Sequence, residues 1–312
     1  MTTADLIVTL ARANLAASGA ILLVLALRAL SRRLCGAHIA YGLWLLPPAA
    51  VAGGLMPGWT DALVAADDAG RTWLDGAGRA DGMAVLWAAG LAASIAMALW
   101  RQARFDAAAR AGRAGPAVVG VIAPRLVAPA DFATRFSDGE RRLIRAHELA
   151  HIDRRDGLSA ALATAATWLC WFNPLAYAAL GAFRRDQELA CDATVMSRLP
   201  RARRAYAETL LRSEPAVRDA DFACNWRTAR HPLAERIEAL ARRRPGQVSR
   251  DMGVASLVLL CAAAFVGTRA AQPPLPAHAF ARSSVMQVEL SPAGAQETAW
   301  VYRWEPRALR SR

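Results

Sequence analysis

The sequence contains no lysine; all 38 of its basic residues are arginine. Cysteine is sparse. Five occur, none in a C-x-x-C pair, and three sit in or beside apolar runs. This argues against a disulfide framework and against a cysteine-type zinc site. Histidine is equally sparse, with five in the whole chain. No helix-turn-helix and no stacking-aromatic pattern stands out, so the formal net charge of +12 is not read as direct nucleic acid binding.

Apolar sequence, in contrast, is abundant and bunched. The chain is 55% hydrophobic with a mean hydropathy of +0.19, high for a soluble protein. Residues 6–27, 37–56 and 83–100 each read as a membrane span, and 253–268 as a shorter fourth. The charge map orients them. The turn 28–36 carries three Arg and no acid. Residues 57–82 carry five Asp against two Arg, and 101–251 carry 26 Arg against 17 acids. Short basic loops stay inside. The expectation is a multi-pass protein of the bacterial inner membrane with both termini outside. On this reading 1–100 hold three spans and a short extracytoplasmic loop, 101–251 a cytoplasmic domain, 252–269 the last span, and 270–312 a mobile tail. The lipid bilayer is then one partner, and topology accounts for most of the basic charge.

The stretch 145–156 reads RAHELAHIDRRD. Ser137 with Glu140 three residues later is a capping box, which predicts a helix running through it. On that helix His147 and His151 are one turn apart and project together. Two imidazoles so placed can hold one Zn²⁺, with Glu148 beside it to take a proton from its water. The bland alternative is a pair of helix histidines facing solvent or headgroups.

A third ligand is sought downstream. Residues 158–172 are apolar, Asn173-Pro174 caps and opens a further helix, and that helix carries Glu188 and Asp192 four residues apart. Two antiparallel helices result. Glu188 lies 15 residues after Asn173, roughly 22 Å along an axis, and His151 lies 22 before it, roughly 33 Å. The mismatch of about 10 Å disappears if the first helix breaks, for which Asp156-Gly157 is the natural place. Glu188 then completes a His147/His151/Glu188/water tetrahedron, and Asp192 orients a ligand histidine. The hairpin 158–183 is short for a span, so it either re-enters the membrane or packs inside the bundle. Residues 117–122 and 126–128 read as two short strands about a proline turn. Their edge either aligns an extended substrate or covers the core.

HELAHIDRRD, then NPL, then RRDQELACD, resemble the BlaR/MecR-type membrane metallopeptidases of β-lactam sensing, as do GPAVVGVIAPRLVAPADF upstream and the order of spans. The resemblance covers roughly residues 1–270. It implies one Zn²⁺ per chain held by His147, His151 and Glu188, with Glu148 as general base and acid and Asp192 behind the ligands. It implies hydrolysis of a cytosolic protein, a transcriptional repressor of the winged-helix type, in a signalling system. Cys191 precedes Asp192 as in that family, and also suits a small buried packing role. HPLAERIEAL, from His231, is similar to a segment of the HtpX and CAAX-processing membrane proteases. There a histidine and an arginine steady the oxyanion. His231 and Arg236 would be the counterparts, with one residue fewer between them; the segment reads equally as an amphipathic cytosolic helix leading to the last span. His38 and His278 carry no such pattern. No S-x-x-K or K-T-G motif follows the last span, so direct β-lactam sensing is not expected.

The fold expected is therefore mainly α: a multi-span helical membrane protein with a cytoplasmic H-E-x-x-H, gluzincin-like domain bearing a small β-hairpin. Two rival functions remain: an HtpX-like quality-control protease, and a non-proteolytic signalling scaffold with a structural metal.

Overall fold

In a computed structural model, residues 2–56, 74, 78–113, 116–121, 124–213, 232–242 and 244–271 are described. The remainder, including most of the acidic loop, His231 and nearly all of the tail, lies outside the described residues. Helix α1 spans Thr3–Leu34, opened by a Thr2–Asp5 capping box and closed by Arg32 and Arg33 in its last turn. Basic side chains there suit the negative end of the helix dipole. Gly36 turns the chain at φ 99°, a left-handed conformation in which a β-carbon would also press on Pro245 at 3.3 Å.

The second apolar stretch differs from expectation. It is segmented into α2 (Ala37–Gly42), a 3-10 turn (Leu43–Leu45) and α3 (Leu46–Leu55). Pro47 and Pro48 have no N–H to return to the preceding turn. The chain tightens there, and the Leu46 N–H bonds the Leu43 carbonyl instead. Among the described residues three helices are long and apolar enough to cross a membrane: α1, α4 (Arg79–Arg110) and α11 (Gln247–Ala270). The segmented stretch packs between α1 and α11, where Val24, Leu43, Leu46 and Ala50 form a buried cluster backed by Leu257 and Leu260. Gly53 permits this approach, since a β-carbon there would lie 2.2 Å from the Phe265 carbonyl oxygen. Outward-facing apolar side chains on α4 and α11 are largely bare; Val85 and Leu259 are each 70% exposed. Such surface is consistent with a membrane protein.

After α4, strands β1 (Ala117–Val119) and β2 (Arg125–Val127) pair antiparallel, with Val118 opposite Leu126. Strand β1 ends earlier than the sequence suggests, at Val119, just before Gly120, whose φ of 104° leaves the extended region. A single turn, α5 (Phe132–Arg135), precedes α6 (Asp138–Asp153). The Ser137 hydroxyl accepts the Glu140 N–H and the Glu140 carboxylate accepts the Ser137 N–H. Helix α6 stops at Arg154. Arg155 takes the left-handed conformation (φ 56°), and α7 (Asp156–Leu169) starts at once. The break anticipated at Asp156-Gly157 thus falls one residue earlier. Asp156 is already in the new helix, where its side chain has other work.

Asn173 caps α8 (Pro174–Arg198), its side-chain oxygen accepting the Leu175 N–H at 2.9 Å. Its amide nitrogen donates to Asn14 at 2.8 Å and Ser18 at 2.9 Å, close to midway along α1. The Trp171 indole donates to the Trp87 carbonyl at 3.2 Å and lies directly over Gly90 of α4. The α7–α8 tip therefore docks among the long apolar helices rather than at their ends. At the other end of the hairpin, α9 (Arg203–Ser213) and α10 (Pro232–Ala241) pack on α6 and α8 around Leu143, Val195, Tyr206, Leu210 and Leu240.

Candidate metal centre

Four-residue spacing on α6 brings His147 and His151 to perpendicular rings, with their Nε2 atoms 3.1 Å apart. The bend at Arg155 folds α7 and α8 back so that Glu188 meets both. Its Oε2 is 3.4 Å from His147 Nε2 and its Oε1 3.6 Å from His151 Nε2. Zinc bound by nitrogen and oxygen at typical lengths has neighbouring ligand atoms roughly 3.3 Å apart. The three observed separations bracket that value, so this donor set fits a tetrahedral metal with one further position.

A second grouping shares the histidines. Donor atoms of His147, His151 and Cys191 lie within 4.8 Å of one another. The printed contacts meet different nitrogens of His147: Cys191 Sγ lies 3.5 Å from Nδ1 and 3.4 Å from the His147 carbonyl oxygen, and Cys191 is fully buried. Glu188 faces the cleft, with 36% of its side chain exposed. Either Glu188 or Cys191 can therefore join the two imidazoles as a third donor.

Both remaining ring nitrogens are held. His151 Nδ1 lies 2.7 Å from Asp156 Oδ2. His147 Nδ1 lies 2.8 Å from the Tyr206 hydroxyl, which in turn donates to Asp192 Oδ1 at 2.6 Å. These partners hold the protons on Nδ1 and leave the Nε2 lone pairs pointing together. Asp192 is itself gripped by Arg236, Nε to Oδ2 at 2.8 Å and Nη2 to Oδ1 at 2.7 Å. The same guanidinium reaches Glu188 Oε2 at 3.1 Å through Nη1.

Electrostatics follow from this packing. Burial alone would lower the pKa of His151, but Asp156, Cys191 and Glu188 outweigh it and push it up to about 10. His147 is raised well above the ordinary imidazole value, with Asp192 and Cys191 overcoming burial. Burial would raise Glu188, yet His147 and Arg236 hold it down to about 2. Asp192 is likewise held below the usual carboxylate range against its burial, mainly by Arg236. The Tyr206 phenol is pushed up by burial and by the Asp192 charge, so it remains a donor. The pocket stabilises positive charge at the two imidazoles, whether carried by protons or by a cation.

A cavity of about 530 Å³ opens onto the cluster. Glu148 lines it beside both histidines, with Ile144, Leu210 and Leu233 as apolar wall and Pro116, next to β1, at its edge. Of the residues singled out in the sequence, His147, Glu148, His151, Glu188, Asp192 and Arg236 all converge here, and His231 lies outside the described residues. Arg236, given an oxyanion role by resemblance, is occupied with two carboxylates. Sequence reasoning missed Asp156 and Tyr206. The only hint of the first was an acid just past the motif, spent on marking the break. Nothing in the sequence marks the second.

Fold and site define a mainly helical chain of membrane type, with two histidines, a thiol and several carboxylates gathered at one cleft. The family described as BlaR1 peptidase M56 matches residues 75–240, more than half of the chain, and the chain belongs to that metallopeptidase family. Regulatory protein BlaR1 of Bacillus licheniformis is similar, at 31% identity over 98 residues. That match covers 31% of this chain and 16% of the relative's length. No solved structure matches the chain.

Proposed function

We propose that the chain is an integral membrane zinc endopeptidase of the H-E-x-x-H type that cleaves a cytosolic regulatory protein, such as a transcriptional repressor, in a signalling system. The observation that carries this reading is the convergence of His147 Nε2, His151 Nε2 and the Glu188 carboxylate, with Glu148 lining the same cleft. The similar Bacillus licheniformis protein is a regulatory protein, which favours a signalling role over bulk turnover. The basic end of α1 contacts α8 two residues from Glu188, which supports a cytosolic site under the positive-inside rule.

His147, His151 and Glu188 would hold the zinc, which would supply a Lewis acid for the scissile carbonyl and lower the pKa of a water. Glu148 takes the proton from the attacking water and returns it to the leaving amine. Asp156 and the Tyr206–Asp192 pair hold the imidazoles in the tautomer that presents Nε2. Arg236 fixes the Glu188 and Asp192 carboxylates relative to each other. The short sheet beside Pro116 either receives an extended substrate as an added strand or covers the core.

The test is a proteome comparison between cells carrying the wild-type chain and Glu148→Ala, with zinc content measured on both purified proteins. One stabilised cytosolic regulator with zinc retained is the expected result. Many accumulating membrane proteins would point instead to quality control, and an unchanged proteome would remove the enzyme reading.

A further inference from the structure

A second cavity, about 480 Å³, adjoins the metal cleft along α8. Its walls come from the basic end of α1 and the Gly36 turn, from α8, the start of α9, α10 and the Arg244-Pro245 approach to α11. Seven arginines and three carboxylates line it. All three carboxylates are engaged: Asp192 by Arg236, Glu235 by Arg32 at 2.7 Å, and Glu238 facing Arg242 at 3.7 Å. Four arginines are held less closely: Arg33, Arg203 and Arg244 have no ion pair and no side-chain hydrogen bond among the described residues, and Arg185 has only the nearby charges of Glu235 and Asp186. They reach one cavity from four separate segments of the chain.

Converging like charges repel, and a fold that assembles them around an open volume gains from an anion that neutralises them. Guanidinium forks match the oxygens of phosphate. Position selects among phosphates. The cavity sits where the apolar path of α1 ends and that of α11 begins, the level of lipid headgroups in a membrane reading of these helices. We propose that this arginine-lined cavity is a binding site for a phosphate-bearing anion, occupied by the headgroup of an acidic phospholipid. It shares Arg185, Leu189 and Glu235 with the wall of the metal cleft, so its occupant touches the scaffold of the candidate active site. The lipid assignment rests on the membrane reading; the anion site does not.

The test uses the full chain in detergent. Binding is measured to nanodiscs of pure phosphatidylcholine and to nanodiscs containing phosphatidylglycerol, and thermal stability is measured with and without inorganic phosphate. Two triple variants are compared with wild type. One is Arg33→Gln, Arg203→Gln, Arg244→Gln in the cavity. The other is Arg101→Gln, Arg104→Gln, Arg110→Gln, the same charge change on α4. All six side chains are exposed, so folding is little burdened. The cavity triple should lose at least about tenfold in phosphatidylglycerol binding while the α4 triple keeps it. A shift with inorganic phosphate that only the cavity triple abolishes, without lipid preference, would support the anion site and assign it to free phosphate. Equal loss in both triples, or no loss in the cavity triple, overturns the site. Zinc content and Glu148-dependent cleavage, measured on the same samples, report separately on the peptidase reading.

Discussion

Arg28 of α1 grips Asp186 of α8, Nε to Oδ2 at 2.8 Å and Nη2 to Oδ1 at 3.0 Å, although the two are 158 residues apart in the chain. Asp186 is fully buried and also takes Arg32 at 3.2 Å and the Trp44 indole at 2.9 Å. Glu188 follows two residues later. The first apolar helix and the segmented stretch beside it are thereby tied to the helix that supplies the third candidate ligand.

Asp186→Ala removes the common partner of two guanidiniums whose side chains are only 11% and 15% exposed. Arg32 keeps Glu235 at 2.7 Å, but Arg28 is left buried without a carboxylate, which costs about 3 kcal/mol. A large fall in the thermal midpoint in detergent is expected, larger than for Arg28→Ala, which leaves Arg32 and Trp44 on the carboxylate. Equal midpoints for wild type and Asp186→Ala would show that the network carries no stability.

Asp156 should act through His151 rather than on substrate. Asp156→Asn leaves a weaker partner for the Nδ1 proton, and loss of such a group typically lowers metal affinity by about 10- to 100-fold. Zinc affinity measured by chelator competition should fall in that range. Activity should recover when zinc is supplied in excess, which loss of a group contacting substrate would not allow.

These two carboxylates also mark the limit of what the sequence discloses. The pairing of His147 with His151 follows from helical period alone, because four residues make about one turn. Glu188 follows from axial length and a needed bend. The bend is misplaced by a residue because glycine is the usual left-handed residue, and here Arg155 adopts that conformation while Asp156 turns toward His151. The segmentation of 37–55 was signalled by Pro47-Pro48 but masked by the apolar run around them. Asp186 and Tyr206 are invisible in principle. Their partners come from helices 142 to 158 and 59 residues away, and an acid amid arginines reads as one more surface charge until α1 closes over it.

Cys191 and Glu188 make opposite predictions as ligands. If Glu188 is the third donor, Glu188→Ala should strip zinc and Cys191→Ala should keep it near stoichiometric. Cobalt substituted into the wild-type site should then show no thiolate charge-transfer absorption. A strong band lost in Cys191→Ala would transfer the ligand role to the thiol.

Arg236 holds two carboxylates whose positions set the site. Arg236→Lys keeps the charge but not the bidentate grip on Asp192. A positioning role predicts lower zinc affinity with partial retention in the lysine variant and near-complete loss in Arg236→Ala. An oxyanion role predicts full zinc occupancy in both with kcat alone reduced. The ratio of zinc content to kcat across the two variants separates the roles.

Metal removal should change how stability depends on pH. Without metal, His151 has a pKa of about 10 and His147 is raised as well, against an ordinary value near 6.5. A group whose folded pKa is raised contributes stability that is complete below the unfolded value and disappears as pH climbs through the folded one. Chelator-stripped protein should therefore lose stability progressively from about pH 6.5 to about 10. Zinc needs both imidazoles deprotonated, so its own stabilisation grows over the same interval. The difference in thermal midpoint between zinc-loaded and stripped protein should widen as pH rises across that window. Asp156→Asn should narrow the effect, since Asp156 is the largest influence raising His151. A midpoint difference that stays constant from pH 6.5 to 9.5 would mean that the histidines do not bind the metal.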